Sequence, residues 1–136
     1  APPHSHFASV APLTSIATVG VIALQPPGIR IVKHCRHSRP HACWLSADVK
    51  GGILKWTTRK RKSADACIKL DEIIDIKLGI DTPVFARHTK NVKAKKTALC
   101  FSCLTKFRTL DIECPDNTTR NNLVAAIDFL RKTSEL

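Results

Sequence analysis

The sequence predicts an α+β, mainly β fold: a small barrel in outline, with seven antiparallel strands in two sheets capped by a C-terminal amphipathic helix. Three observations predict it. From Ile29 to Cys114, short apolar runs, several alternating with polar residues at period two, are separated by polar or Gly/Pro-containing turns. After Pro115 the apolar period lengthens to that of a helix. The chain has 136 residues, 43% of them hydrophobic, the size and composition of one domain. At that length a core forms without metal or disulfide staples.

The first element is set apart by charge. Residues 1–28 contain no Asp, Glu, Lys or Arg, whereas all of the 22 basic residues except Arg120, Arg131 and Lys132 fall between Arg30 and Arg108. Pro2, Pro3 and Pro12 on one side and Pro26, Pro27 and Gly28 on the other bracket Leu13–Leu24. Its Thr, Ile and Val content favours an extended or partly buried run, packed on the domain or on a partner. Residues 29–136 are then the domain proper.

Within it the expected strands are Ile29–Cys35, His41–Ala47, Ile53–Thr58, Ala66–Leu70, Ile73–Leu78, Ala98–Leu104 and Thr109–Cys114. Leu110, Ile112 and Cys114 alternate with Thr109, Asp111 and Glu113, the pattern of a strand with one face in a core. Ile74, Ile76 and Leu78 oppose Asp75 and Lys77 in the same way. The connection 79–97 reads as a long loop. Asp116 and Asn117 then offer N-cap oxygens to a helix from about Asn117 to Lys132. Leu123, Ile127 and Leu130 form its apolar stripe, and Arg131 and Lys132 complement the negative end of its dipole. Such a helix plugs one open end of a small barrel.

Charge narrows the function. With 22 Lys+Arg against 11 Asp+Glu the net charge is +11, which calls for an anionic partner without saying which. Six irregularly spaced cysteines fit a reducing compartment better than a secreted disulfide framework. The longest uncharged apolar stretch, Val10–Leu24, is too short and too polar to span a membrane.

The order and spacing of several stretches resemble the pleckstrin-homology (PH) domain, in particular the subtype found in phosphoinositide-specific phospholipase C of the delta kind. Ile29, Val32 and Lys33, a basic loop and then Cys43–Trp44–Leu45–Ser46 resemble its first hairpin. Ile74–Gly79 followed by Thr82, Pro83, Phe85 and Arg87 resembles its I-x-x-I-x-x-G-x-x-T-x-x-F-x-R run. Phe101–Ser102 and Arg108–Pro115 resemble the strand pair that leads into the final helix. The resemblance covers about residues 29–132. Leu123 stands where the family usually places a Trp, and the family's basic motif appears as Lys33, Arg39 and His41, with His in the last place.

The resemblance implies that three basic loops open at one end of the barrel, where a phosphorylated headgroup sits. These are Arg36–Arg39, Arg59–Lys62 and Lys106–Arg108. The expected headgroup contacts are Lys33, Arg36, Arg39, His41, Arg59, Lys60, Arg61 and Lys62, with Arg108 in support. Arg forks grip two phosphate oxygens while Lys acts as a point charge. The leading expectation is a non-catalytic module that docks on phosphoinositide or phosphatidic-acid headgroups, in the cytoplasm and peripherally on a membrane. The alternative is a PH-fold scaffold that grips an acidic protein surface, such as tubulin or another component of a large assembly. Lys90, Lys93, Lys95 and Lys96 form a second basic run that suits such a contact.

Other constellations point less far. His34, Cys35, His37, His41 and Cys43 crowd borderline and soft metal ligands into one stretch, but Cys35 and Cys43 fall on two strands and no metal is expected. Histidines charged in a headgroup loop would instead strengthen binding at mildly acidic pH. Cys100 and Cys103 have C-x-x-C spacing, yet on a strand they point to opposite faces and read as buried small hydrophobes. No nucleophile motif, phosphate-cradling Gly loop or paired carboxylate is present, so neither catalysis, a small-molecule substrate nor a cofactor is expected. Trp44, Trp56 and the Phe residues lie mostly in expected strands or the helix and form no RNA-binding motif, so nucleic acid is not the expected partner.

Overall fold

The computed structural model describes residues 13–58, 66–87 and 94–134. Its strands are β1 (Ile29–His34), β2 (His41–Asp48), β3 (Ile53–Thr57), β4 (Cys67–Lys69), β5 (Asp75–Leu78), β6 (Cys100–Leu104) and β7 (Thr109–Glu113). Among the described residues they are accompanied by the helices α1 (Ser15–Leu24), α2 (Pro83–Arg87) and α3 (Asn117–Ser134). Two 3₁₀ segments, Leu70–Glu72 and Ala94–Leu99, take residues that the alternation assigned to the ends of the fourth and sixth strands.

All pairings are antiparallel, in the order β4-β3-β2-β1-β7-β6-β5. The strands of the two expected sheets therefore form one hydrogen-bonded sheet, in which β1 joins β7 where His34 faces Asp111 and Val32 faces Glu113. Strand β1 is central, and the short strands β4 and β5 are the edges. Leu45, Leu54, Phe101, Leu110 and Ile112 fill the interior with essentially no exposure. Leu123, Ala126, Ile127 and Leu130 of α3 complete this core and close one end of it. Leu123, in the position of the family's Trp, is fully buried.

Local chemistry fixes both ends of α3. The Asp116 carboxylate accepts from Thr119 N at 2.7 Å, an N-cap that holds its pKa below the ordinary 3.8. At the other end Arg131 and Lys132 both reach Asp128, and Arg131 also donates to the carbonyls of Ile73 and Ile74 at 3.4 and 3.1 Å. That bond ties the helix end to the chain entering β5.

Residues 13–28 depart from the expected extended run. Thr14 caps α1 by accepting from Ala17 N at 3.1 Å, and the helix buries Ala17, Gly20 and Leu24 against α3 and the core. A Cβ on Gly20 would lie 2.1 Å from the Asn122 carbonyl oxygen and 2.6 Å from the Ala126 Cβ, so the two helices meet backbone to backbone. This close packing outweighs the β-branched preference of the segment, which is worth only tenths of a kcal/mol per residue. The opposite face of α1 leaves Leu13, Ile16, Val19 and Ile22 half or more exposed. Gly28, at φ +94°, turns the chain into β1 so close to the Leu45 carbonyl that a Cβ would come within 2.1 Å of its oxygen.

Two strand expectations are also corrected. On β7, Leu110 and Ile112 face the core as expected, yet Asp111 on the other face is buried too, because α2 covers that face. On β5 the alternation is present but Ile74 and Leu78 are exposed and Ile76 is only partly buried, because an edge strand with no layer over that face cannot bury it.

Candidate functional site: the open mouth of the barrel

The antiparallel order brings the β1–β2 and β6–β7 connections, the end of β3 and the start of β4 to the end of the barrel that α3 does not close. There an open cleft of about 840 Å³ is lined by Lys33 and Arg36 from β1 and its following loop, and by Trp56 and Ala66 from β3 and the start of β4. Leu104, Thr105 and Phe107 to Thr109, with Pro83, Val84 and Arg87 of α2, complete the wall.

Trp56 organises the cations. It is only 8% exposed, held in the core at the rim, and its ring has Lys33 Nζ 5.4 Å and Arg108 Cζ 5.1 Å from the centroid. Cation–π contacts of this kind position charges while leaving their donors open to a second ligand. Among the described residues none of Lys33, Arg36, Arg87 or Arg108 forms an ion pair with a carboxylate. Four unneutralised cations thus share one concavity, with field focused by apolar walls.

The one carboxylate among the described residues of the wall is already satisfied. Asp111 Oδ1 accepts from Thr82 Oγ1 at 2.5 Å and Ser102 Oγ at 2.7 Å, while Oδ2 accepts from Thr109 Oγ1 at 2.7 Å. Thr82 is at the same time the N-cap of α2, accepting from Phe85 N at 3.3 Å, with Pro83 in the first helical turn. Asp111 therefore fastens α2 to the sheet, and α2 carries Arg87 into the cleft. On the same outer face His34 packs 4.8 Å from the Phe85 ring and meets Glu113 at 3.0 Å, and Glu113 also meets Lys96 at 3.5 Å.

The expected contact residues separate. Lys33, Arg36 and Arg108 line the cleft. Arg39 and His41 are exposed and outside its wall; His41 Nδ1 sits 3.4 Å from the Arg39 carbonyl oxygen and 3.5 Å from Cys35 Sγ. Arg59, Lys60, Arg61 and Lys62 lie outside the described residues, as do Lys90 and Lys93 of the second basic run. Arg87 and Asp111 were missed. The Thr82–Pro83 pair is a helix-start signal that could have placed α2, and with it Arg87, beside β7.

Four of the six cysteines are buried thiols unsuited to reactive chemistry. Burial pushes the Cys43 thiol up to about 11 and those of Cys100, Cys103 and Cys114 to about 12, so all four stay protonated at neutral pH. Cys100 and Cys103 point to opposite faces of β6, the first toward Phe85 and the second into the main core. Among the described residues no three His, Cys, Asp or Glu side chains gather as a metal site would need.

No protein-family model and no curated protein matches the sequence. Solved structures do match. Inner membrane complex sub-compartment protein 3 (ISP3) from Toxoplasma gondii is 13% identical with a TM-score of 0.64, over 93% of this chain and 91% of that one. Sub-compartment protein 1 (ISP1) of the same organism is 10% identical with a TM-score of 0.65, over 89% and 95%. The PH domain from TgAPH is 15% identical with a TM-score of 0.59, over 88% and 92%. With the element order and the helix-capped barrel described above, these likenesses show that the chain has a pleckstrin-homology-like fold.

Proposed function

We propose that the protein is a non-catalytic module that docks reversibly on anionic membranes by taking phosphate-bearing lipid headgroups into the mouth of the barrel. The observation that carries this reading is the convergence of Lys33, Arg36, Arg87 and Arg108 on one cleft with no carboxylate paired to them among the described residues. Phosphate oxygens are the ligand such a set accepts best, through Arg forks and the Lys point charge. Asp111, whose oxygens are occupied by three hydroxyls, is no candidate base, which supports binding rather than catalysis. No helix of the described residues is long and apolar enough to cross a membrane, so the reading is one of peripheral contact. Similarity to proteins named for an inner membrane complex fits a module that works at a membrane.

The test is co-sedimentation with phosphatidylcholine vesicles that carry phosphatidic acid or a phosphoinositide, at low and physiological salt. Binding is expected only with the anionic lipid and weaker at the higher salt. Arg36→Glu with Arg108→Glu should reduce affinity roughly a thousandfold, since each basic residue near an anionic surface contributes about 1 kcal/mol and reversal counts twice. Wild-type protein that ignores such vesicles at physiological salt defeats the reading.

The exposed apolar stripe of α1 favours a second reading, in which the same fold grips an acidic protein partner within a larger assembly. A pull-down that survives lipid extraction and is lost on Ile16→Asp with Val19→Asp, which change only the exposed face of α1, is its expected signature.

A further inference from the structure

We propose that Phe107, at the tip of the β6–β7 turn, is a membrane wedge that enters the lipid interface beside the headgroup cleft. This rests on the membrane-docking reading and adds to it an apolar contact that the cations cannot provide.

Phe107 is 84% exposed, the most exposed large apolar side chain among the described residues. A single exposed apolar residue is ordinary, so its weight comes from its surroundings. The turn that carries it is closed at its base: Thr105 N and Thr105 Oγ1 donate to the Arg108 carbonyl at 2.9 and 2.8 Å, and Arg108 N donates to Thr105 Oγ1 at 3.1 Å. A turn fixed this way holds its tip outward at little further entropy cost on docking. The neighbouring Arg108 guanidinium turns the other way, onto the Trp56 ring 5.1 Å away, and does not cover Phe107.

Charge complements the wedge. Lys106 Nζ lies 5.7 Å from the Phe107 ring and Arg108 follows directly, so a basic residue flanks it on each side. An anionic leaflet matches both parts, with phosphates at the depth of the cations and acyl chains below them. The neighbouring strand adds to the same rim: Ile74, 63% exposed, donates its backbone N–H to the Leu104 carbonyl at 2.7 Å, at the base of this turn. An acidic protein surface would satisfy Lys106 and Arg108 but offers the ring nothing in particular, which is why the lipid surface is the occupant inferred.

The experiment compares wild type, Phe107→Ala and Phe107→Leu in two assays: affinity for phosphatidylcholine vesicles carrying phosphatidic acid, and affinity for a soluble headgroup, inositol trisphosphate or glycerol 3-phosphate. Phe107→Ala should weaken vesicle binding about tenfold, the scale of losing one partly inserted aromatic ring, and weaken soluble-headgroup binding far less, because a free headgroup has no acyl chains for the ring to enter; an equal loss in both assays would make the ring part of the cleft wall and overturn the wedge. Phe107→Leu should restore most of the vesicle affinity. Surface pressure of an anionic lipid monolayer should rise less with the Ala variant than with wild type. Vesicle affinity equal to wild type in Phe107→Ala overturns the wedge and leaves the cleft reading intact. Vesicle binding that depends on Phe107 but survives Arg36→Glu with Arg108→Glu supports the wedge against the cleft. Wild type that binds neither vesicles nor soluble headgroup overturns both.

Discussion

The two ends of this barrel are made from the same sheet and treated in opposite ways. At one end α3 lays Leu123, Ala126, Ile127 and Leu130 across the opening, and α1 is pressed onto α3 through Gly20, so the interior there is dry and close-packed. At the other end no element covers the opening among the described residues, and the rim holds Lys33, Arg36, Arg87 and Arg108 around Trp56. The difference separates stability from function within a single small core. Apolar volume at the closed end keeps the strands together, and that frees the open end to keep charges unpaired, which would be costly in a domain that needed both ends for cohesion.

Substitutions that act on one end only would sharpen this division. The largest effect is expected from Ile127→Ala, which removes a side chain with no exposure from the closed end and should cost about 2–5 kcal/mol of stability in denaturant unfolding. Its vesicle affinity, measured where it is still folded, should match wild type; a parallel loss would show that the ends are coupled. Gly20→Ala comes next. Its new Cβ would meet the Asn122 carbonyl oxygen, so α1 must lift from α3, at a cost of about 1–3 kcal/mol by overpacking. Amide exchange should quicken in α1 and α3 and not in β6 or β7.

Acid should act least, and on the closed end. The Asp116 carboxyl is held below 3.8 chiefly by the Thr119 amide. Burial pushes Asp128 up, but the bonds from Lys132 and Arg131 outweigh it and hold this carboxyl below 3.8 as well. Both folded values lie under the unfolded ones, so their contribution is complete above about pH 4 and is lost as pH falls through the folded values. Asp128→Asn should flatten that acid limb by less than about 1 kcal/mol, since the pair is largely solvated. A stronger acid loss in the unfolding midpoint would point to carboxylates elsewhere.

What could be read from the sequence follows the same line. Strands β1 to β7 and α3 were legible because their apolar periods report directly on a buried face, as at Leu110 and Ile112 or at Leu123 and Ile127. Helix α1 was not, because Ile16, Val19 and Ile22 vote for a strand while the residues that decide, Ala17 and Gly20, act only through a partner helix far along the chain. Ile74 and Leu78 show the reverse failure, a period that is present with nothing to pack on. At the mouth, the basic loops could be seen as charge, and the resemblance supplied their convergence. Which cations line one cleft depends on α2, and α2 depends on Thr82 meeting Asp111 across the sheet. Phe107 was hidden for a simpler reason: the sequence puts it in a basic loop, and only the packed neighbours show that its ring stays outside.

The placement of Trp56 has a practical corollary. An indole held at the rim with Lys33 and Arg108 against it is a built-in optical sensor of the cleft, because an anion that draws those cations away changes the field on the ring. Trp44, on β2 and 37% exposed, is the other indole in the chain. Replacing it with Phe would leave a protein that reports its own occupancy by emission, without a label, at the very residue that arranges the site.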